Sequence, residues 1–370
     1  MAHEKSQTLV PLDLSCLSST LQEHLPFSST LEHCVPLAGD ASNRRYYRLH
    51  LSGGPVSSVI LMQLADPEGF KASEEAVSGK EPEIPELPFI NILKHLQTVG
   101  IPVSHVYFYD ESAGLLYLED FGDVTLAQAC QGASATTINR LYRQAIDVLV
   151  RLHVHASVPS STPCLAFSRS FDVPLYLWEF DHFLEYGIVA RQKKPMCALD
   201  FLPIQEEFQK IAEWLAAQPT VFTHRDFHSR NLMVDGERVG VIDFQDALLG
   251  PITYDLASLL RDSYITLDES LIEALLAYYR DQMCQALPSS QHTTMYLDDA
   301  ETFRRLFDFS SIQRNLKAAG RFVYIDRVKG NPNFLASIPR TLQNVRANLT
   351  KYPQLHCLLK HLSPYLPEWQ

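Results

Sequence analysis

HRDFHSRNLMVDGERVGVIDF, residues 224–244, is the stretch on which the fold of this chain turns. It opens on a polar octet holding a histidine, an aspartate and an asparagine, and it closes on a hydrophobic run that ends in Asp-Phe. NLMV (231–234) and VGVIDF (239–244) read as two short strands joined by the turn DGER. Pairing them brings Asn231 and Asp243 toward one point from opposite ends of a hairpin, with Asp226 five residues ahead of Asn231. Residues of these types often serve as turn and cap residues, and HxD alone would carry no more than that. The order, the spacing and the strands that follow point to chemistry instead.

Transfer of a phosphoryl group from a nucleotide to an alcohol needs an acceptor that orients the attacking hydroxyl, and oxygen ligands for the magnesium that bridges the phosphates. Asp226 suits the first task, Asn231 and Asp243 the second. Magnesium keeps waters and nucleotide oxygens around it, so one or two carboxylates and an amide oxygen from the protein suffice. The expected cofactors are therefore ATP and Mg2+.

Upstream, residues 1–36 read as a polar lead-in with a short helix near 17–25. From residue 37 the pattern becomes β-like: RRYYRLHL (44–51), SVILMQL (58–64), VSHVYFY (103–109) and GLLYLED (114–120), separated by turn residues. SEEAVSGKEPEIPELP (73–88) reads as a mobile loop, and FINILKHLQTVG (89–100) as an amphipathic helix stopped by Gly100. Beyond about residue 122 the period is helical, as in INRLYRQAIDVLVRLHVH, QEEFQKIAEWLAAQ and LIEALLAYYRDQM. The fold class expected is α+β and bilobal: a β-rich N-terminal lobe over 1–118 and a larger, mainly helical C-terminal lobe over 119–370, with a cleft between them.

GDASNRRYYRL (39–49) suggests a phosphate-binding hairpin, since small residues at Gly39, Ala41 and Ser42 let backbone N–H groups come close to phosphate oxygens. A Gly-Asp turn before a strand is common, so the arginines matter more. Arg44 and Arg48 share one face of a strand with Tyr46, while Arg45 lies on the other with Tyr47 and Leu49. Any of the three could reach nucleotide phosphates; the alternative is a solvated edge strand.

The bulk properties demote other partners. With 370 residues, 46% of them hydrophobic, the chain can build two cores, and its net charge of −12 gives no basic footprint for nucleic acid or an anionic membrane. No apolar run approaches the roughly 20 residues of a membrane span, and no secretory leader pattern opens the sequence, so a cytoplasmic location is expected. Seven cysteines lie far apart with no CxxC pair, as reduced thiols would. Nothing in the sequence specifies an oligomeric state.

HRDFHSRN and VIDFQDALLGPITYDLASLL together resemble the aminoglycoside-phosphotransferase-like branch of the protein-kinase-like fold. The resemblance implies that the third position of the metal motif need not be glycine, and that His224 and Asp255 support the catalytic loop. Asp255 reads equally well as an N-cap of LASLLRD. YLEDFGD (117–123) resembles the link between lobes, where the backbone from Glu119 to Phe121 would meet the nucleobase. One departure stands out: SVILMQL carries Met62 and Gln63 where the phosphate-binding lysine is looked for, and FINILKHL offers no glutamate to pair with it. Either an arginine of 44–48 takes that place or the nucleotide is held in a less familiar way.

GDASNRRYYR, LLYLEDFGD, the catalytic loop, WEFDHF (178–183), FDFSSIQRNLKAAGRF (307–322) and NPNFLASIPRTL (331–342) are similar to one subgroup, the bacterial anomeric N-acetylmuramate/N-acetylglucosamine 1-kinases of cell-wall recycling. That implies a small amino-sugar acceptor. Trp178, Glu179, Asp181, Gln313, Arg314 and Lys317 offer the inventory of a sugar pocket, and Glu179, Gln313, Arg314 and Asp246 are the acceptor-site candidates. The competing readings are a kinase of another small alcohol or aminoglycoside, which would need a strongly acidic pocket for a cationic acceptor, and a nucleotide-binding pseudokinase.

Overall fold

The computed structural model describes residues 12–37, 44–64, 86–160, 162–292 and 294–370. The Gly39–Ser42 hairpin and residues 73–85 of the expected loop lie outside them. The described residues separate into two units, those of Met1–Ala72 with Ser104–Gly122 and those of Ser73–Val103 with Asp123–Gln370.

The first unit is a five-stranded antiparallel sheet in the order β1-β2-β3-β5-β4, with β1 Thr30–Pro36, β2 Arg45–Ser52, β3 Ser58–Gln63, β4 Val106–Asp110 and β5 Leu115–Glu119. The helix Leu14–His24 buries Leu17 and Leu21 against one sheet face, where Leu49, Leu51, Val59, Leu61 and Tyr117 complete the core. Two expectations change. The lead-in is not merely polar, because Thr30–Pro36 forms an edge strand; it is exposed at most positions and so lacks the apolar alternation that reveals a strand. The fourth strand starts at Val106 rather than 103, because Val103 instead bridges Val241 in the second unit, where the Val241 N–H donates to the Pro102 carbonyl.

The second unit is mainly helical. The helix Pro88–Thr98 buries Phe89, Ile92, Leu93 and Leu96, and Phe89 stacks on Phe244 with ring centroids 4.9 Å apart. Two two-stranded antiparallel sheets frame the polar octet: β6 Thr220–Thr223 pairs with β9 Leu248–Pro251, and β7 Leu232–Asp235 pairs with β8 Arg238–Val241. The first pair was not legible, since each strand spans only four residues. The hairpin turns at Gly236, whose φ of +58° suits a residue without Cβ.

The helix Ala300–Lys329 runs through the centre of this unit, capped by Asp299 at its start and by left-handed Gly330 at its end. Buried side chains surround it, and it packs closely on the helical segments Val173–His182 and Phe183–Ala190. At Gly320 the approach is tightest: a Cβ there would lie 2.8 Å from Phe183 Cα. Among the described residues no helix is long and apolar enough to cross a membrane.

Candidate active site

β6 runs straight into the polar octet, and the backbone of the octet is held by buried carboxylates. Asp255 accepts the N–H of His224 at 2.6 Å and that of Arg225 at 2.9 Å, and Asp262 accepts the N–H of Ser229 at 2.9 Å. Asp255 lies in the first turn of the helix Tyr254–Leu260, whose N-cap residue is Thr253, so its carboxylate is spent on the loop and not on that cap. His153, in a widened helical turn at Leu152–Ala156, comes within 3.8 Å of Asp255 and bonds Tyr279 Oη at 2.6 Å. Sequence reasoning passed over Asp262 and His153, which share no local pattern with the loop.

His224 ties the loop to the hairpin. Its Nε2 lies 2.9 Å from the Ile242 carbonyl, while Nδ1 accepts the Asp226 N–H at 3.3 Å, which assigns the neutral ring with its proton on Nε2. Arg225 adopts φ +81°, a left-handed backbone that costs a non-glycine residue free energy. Both its N–H and its side chain are anchored, the latter by Glu179 at 2.8 Å. Fully buried Phe227 fixes the loop from below.

Asn231 donates its amide to the Asp226 carbonyl at 3.0 Å, which leaves its amide oxygen as the atom available to a ligand. The Ile242 N–H donates to the Asn231 carbonyl at 3.1 Å, so Asp243 stands one residue beyond the ladder partner of Asn231. Asp243 has φ +64°, which ends the strand and turns the chain away; its side chain is exposed, and Oδ1 accepts from Gln245 at 2.9 Å. The hairpin thus assembles one amide oxygen and one carboxylate, hard donors of the kind magnesium takes. These residues fit such an ion.

The Asp226 side chain is about 40% exposed, with Lys317 Nζ 3.9 Å from Oδ1. Burial by itself would raise its pKa, but Lys317, His228, Arg314 and Arg225 together hold the carboxyl well below the usual carboxylate range. Lys317 belongs to the Ala300–Lys329 helix, one turn from Gln313. Both reach Glu179, which is fully buried: Gln313 Nε2 donates to its Oε2 at 2.6 Å, and Lys317 lies 3.7 Å from its Oε1.

The acceptor-site candidates divide. Glu179 and Gln313 have no exposed surface, and Glu179 spends its oxygens on Arg225, Gln313 and Lys317. Arg314 is buried to 4% exposure with bonds of 3.3 Å to Ser263 and Asn315, and Asp246 is half-buried beside Gln245. Asp181 bonds Gln205, and Trp178 stacks on His182.

In the first unit Arg48 donates to both oxygens of Asp120, at 2.6 and 3.1 Å, and to the Gly122 carbonyl. Ser58 also donates to Asp120, and despite partial burial these partners keep its pKa low. Arg45 is exposed on the side of the strand that carries Tyr47 and Leu49. Arg44 is buried, and the alternation puts it on the face of Tyr46, which pairs with Met62. Glu119 gives its N–H to the His105 carbonyl and accepts the His105 N–H; Phe121 is half-buried.

The chain is 31% identical over 320 residues to the N-acetylmuramate/N-acetylglucosamine kinase of Neisseria meningitidis serogroup B, covering 86% of each chain. It is 30% identical over 323 residues to the protein of that name from Pseudomonas putida, covering 86% of this chain and 84% of the relative. Among solved structures, the choline kinase of Cryptosporidium parvum matches with a TM-score of 0.57 at 10% identity, over 94% of this chain and 98% of that one. The ADP-bound aminoglycoside phosphotransferase APH(2'')-Ib matches with a TM-score of 0.53 at 13% identity, over 90% and 98%. These two likenesses show the fold alone, which is protein-kinase-like with a five-stranded antiparallel N-terminal sheet. Residues 33–290 match the model of the phosphotransferase enzyme family, and the chain belongs to that family.

Proposed function

We propose that this protein is an ATP- and magnesium-dependent kinase that phosphorylates the anomeric hydroxyl of N-acetylmuramate, N-acetylglucosamine or both, in the recycling of peptidoglycan sugars. The relatives named N-acetylmuramate/N-acetylglucosamine kinase support the acceptor class. The observation that carries the reading is the placement of Asp226: a partly exposed carboxylate 3.9 Å from Lys317 Nζ, on the loop whose Asn231 donates to the Asp226 carbonyl.

A carboxylate so placed can accept a hydrogen bond from an attacking hydroxyl and set its direction. The hemiacetal hydroxyl at C1 of a reducing sugar is the most acidic hydroxyl that sugar offers. C1 therefore gives up its proton most readily, and Asp226 would orient that hydroxyl while its oxygen attacks the terminal phosphorus and ADP leaves. Asn231 and Asp243 would hold magnesium, which would supply positive charge to offset that of the nucleotide phosphates. One arginine of Arg44, Arg45 and Arg48 would take up the phosphate charge; of these Arg48 already binds both oxygens of Asp120. Gly39, Ala41 and Ser42 would add backbone N–H groups, and the backbone from Glu119 to Phe121 the contact to the nucleobase.

The test is ADP release from ATP over a panel of acceptors. N-acetylglucosamine and N-acetylmuramate should turn over, while choline and aminoglycosides should not. Turnover confined to a cationic acceptor would replace this reading, and nucleotide binding without turnover on any acceptor would favour a pseudokinase.

A further inference from the structure

The octet HRDFHSRN contains two arginines and no lysine, and both arginines have partners other than Asp226. Arg225 pairs with Glu179 at 2.8 Å, and the Arg230 guanidinium lies over the Tyr264 ring, 3.8 Å from its centroid. The ammonium within 4 Å of Asp226 comes from the helix Ala300–Lys329: Lys317, whose side chain is 13% exposed. We propose that Lys317 is a positioning residue for the transfer step, an ammonium paired electrostatically with Glu179 that fixes where the Asp226 carboxylate meets the acceptor hydroxyl.

Two features of the geometry support this. At 3.9 Å, Lys317 is close enough to attract Asp226 but too far to hydrogen-bond it, so the ammonium itself leaves the carboxylate oxygens open to a hydroxyl. And Lys317 has a second carboxylate beside it. Glu179 is fully buried and would be costly as an isolated charge; Arg225 and Gln313 hydrogen-bond it, and its charge, 3.7 Å from Lys317, draws the ammonium to this place. Glu179 therefore acts on both sides of Asp226 in the chain, through Arg225, its neighbour in sequence, and through Lys317. This gives Glu179 and Gln313 a task that needs no contact with the sugar.

The inference rests on the reading that Asp226 engages the acceptor, and a double-mutant cycle separates the two. Asp226→Asn, Lys317→Met and the double variant are compared with wild type, using ATP and N-acetylglucosamine. Lys317→Met should lower kcat by about tenfold to a hundredfold with KM for both substrates little changed. Lys317→Arg, which keeps the charge, should restore much of the loss. On the Asp226→Asn background, Lys317→Met should cost no more than about twofold further, because its effect passes through Asp226. Losses that multiply in the double variant, a loss confined to KM, or a fully active Lys317→Met would each overturn the proposal. A fully active Asp226→Asn would instead overturn the reading beneath it. Should Lys317→Met fail to fold, Lys317→Gln, neutral but able to bond Glu179, completes the same cycle with the same outcomes.

Discussion

Asp255 accepts the backbone N–H of His224 at 2.6 Å from a side chain with no solvent exposure, and it takes the N–H of Arg225 as well. A buried carboxylate with two charge-assisted bonds defines the path of the loop into Asp226. Asp255→Ala would orphan both donors, each costing about 1–3 kcal/mol when buried. The variant should therefore unfold at clearly lower denaturant concentration and lose turnover, whereas Asp255→Asn, which keeps one acceptor oxygen, should lose less of both. Denaturation curves unchanged in Asp255→Ala would mean the loop is held by other bonds.

Asp226→Asn removes the acceptor of the hydroxyl proton and leaves Asn231 and Asp243 intact. Turnover should fall by about 10² to 10⁴, the usual contribution of a positioned base, while ATP affinity stays near wild type. Turnover within a few-fold of wild type would remove Asp226 from the chemistry.

Asp243→Ala takes away the carboxylate of the proposed ion site, and its exposed position should spare stability. Calorimetry should show nucleotide binding markedly weaker in the presence of magnesium and little altered without it. Equal affinities for wild type and variant at saturating magnesium would contradict this assignment.

The three arginines of β2 and its lead-in should separate. One of Arg44→Met and Arg45→Met should raise the nucleotide KM strongly, and two variants that both behave like wild type would remove these arginines from the phosphates. Arg48→Met should cost stability, since Arg48 binds both oxygens of Asp120. The folded pKa of Asp120 is depressed, so its contribution is present above the ordinary aspartate value of 3.8 and lost as pH falls through the lower folded value. The stability gap between wild type and Arg48→Met should then be full at neutral pH and close in acid. A gap that persists unchanged at low pH would mean Arg48 acts through packing.

How much of this could be read from the residues varies with distance along the chain. The hairpin and the order Asp226, Asn231, Asp243 lie within one stretch and carry turn residues and apolar runs, so their placement follows from local rules. β1 is exposed along most of its length and carries no period to find, and β6 and β9 are too short to show one. The polar cluster of Glu179, Arg225, Gln313 and Lys317 joins three separate segments through tertiary packing, so residue types suggested a sugar pocket where several of these side chains are buried partners of one another. The face on which Arg48 lies was legible from strand alternation; its commitment to Asp120 across the sheet was not.

The long helix offers a test of packing alone. A Cβ at position 320 would meet Phe183 Cα at 2.8 Å, and backbone cannot yield as a flexible side chain would. Gly320→Ala should destabilise by about 1–3 kcal/mol in spite of alanine's better helix propensity. An equal or higher melting temperature would show that the helices part at no cost.

The position of the phosphate on the product tests the central claim most directly. Wild-type enzyme is incubated with ATP and N-acetylglucosamine, and the product is examined by phosphorus-coupled NMR, with the 1-O-methyl glycoside as a parallel acceptor. An anomeric hydroxyl oriented by Asp226 predicts phosphate on C1 and no turnover of the glycoside. Phosphate on C6, or equal rates on the two acceptors, would contradict it.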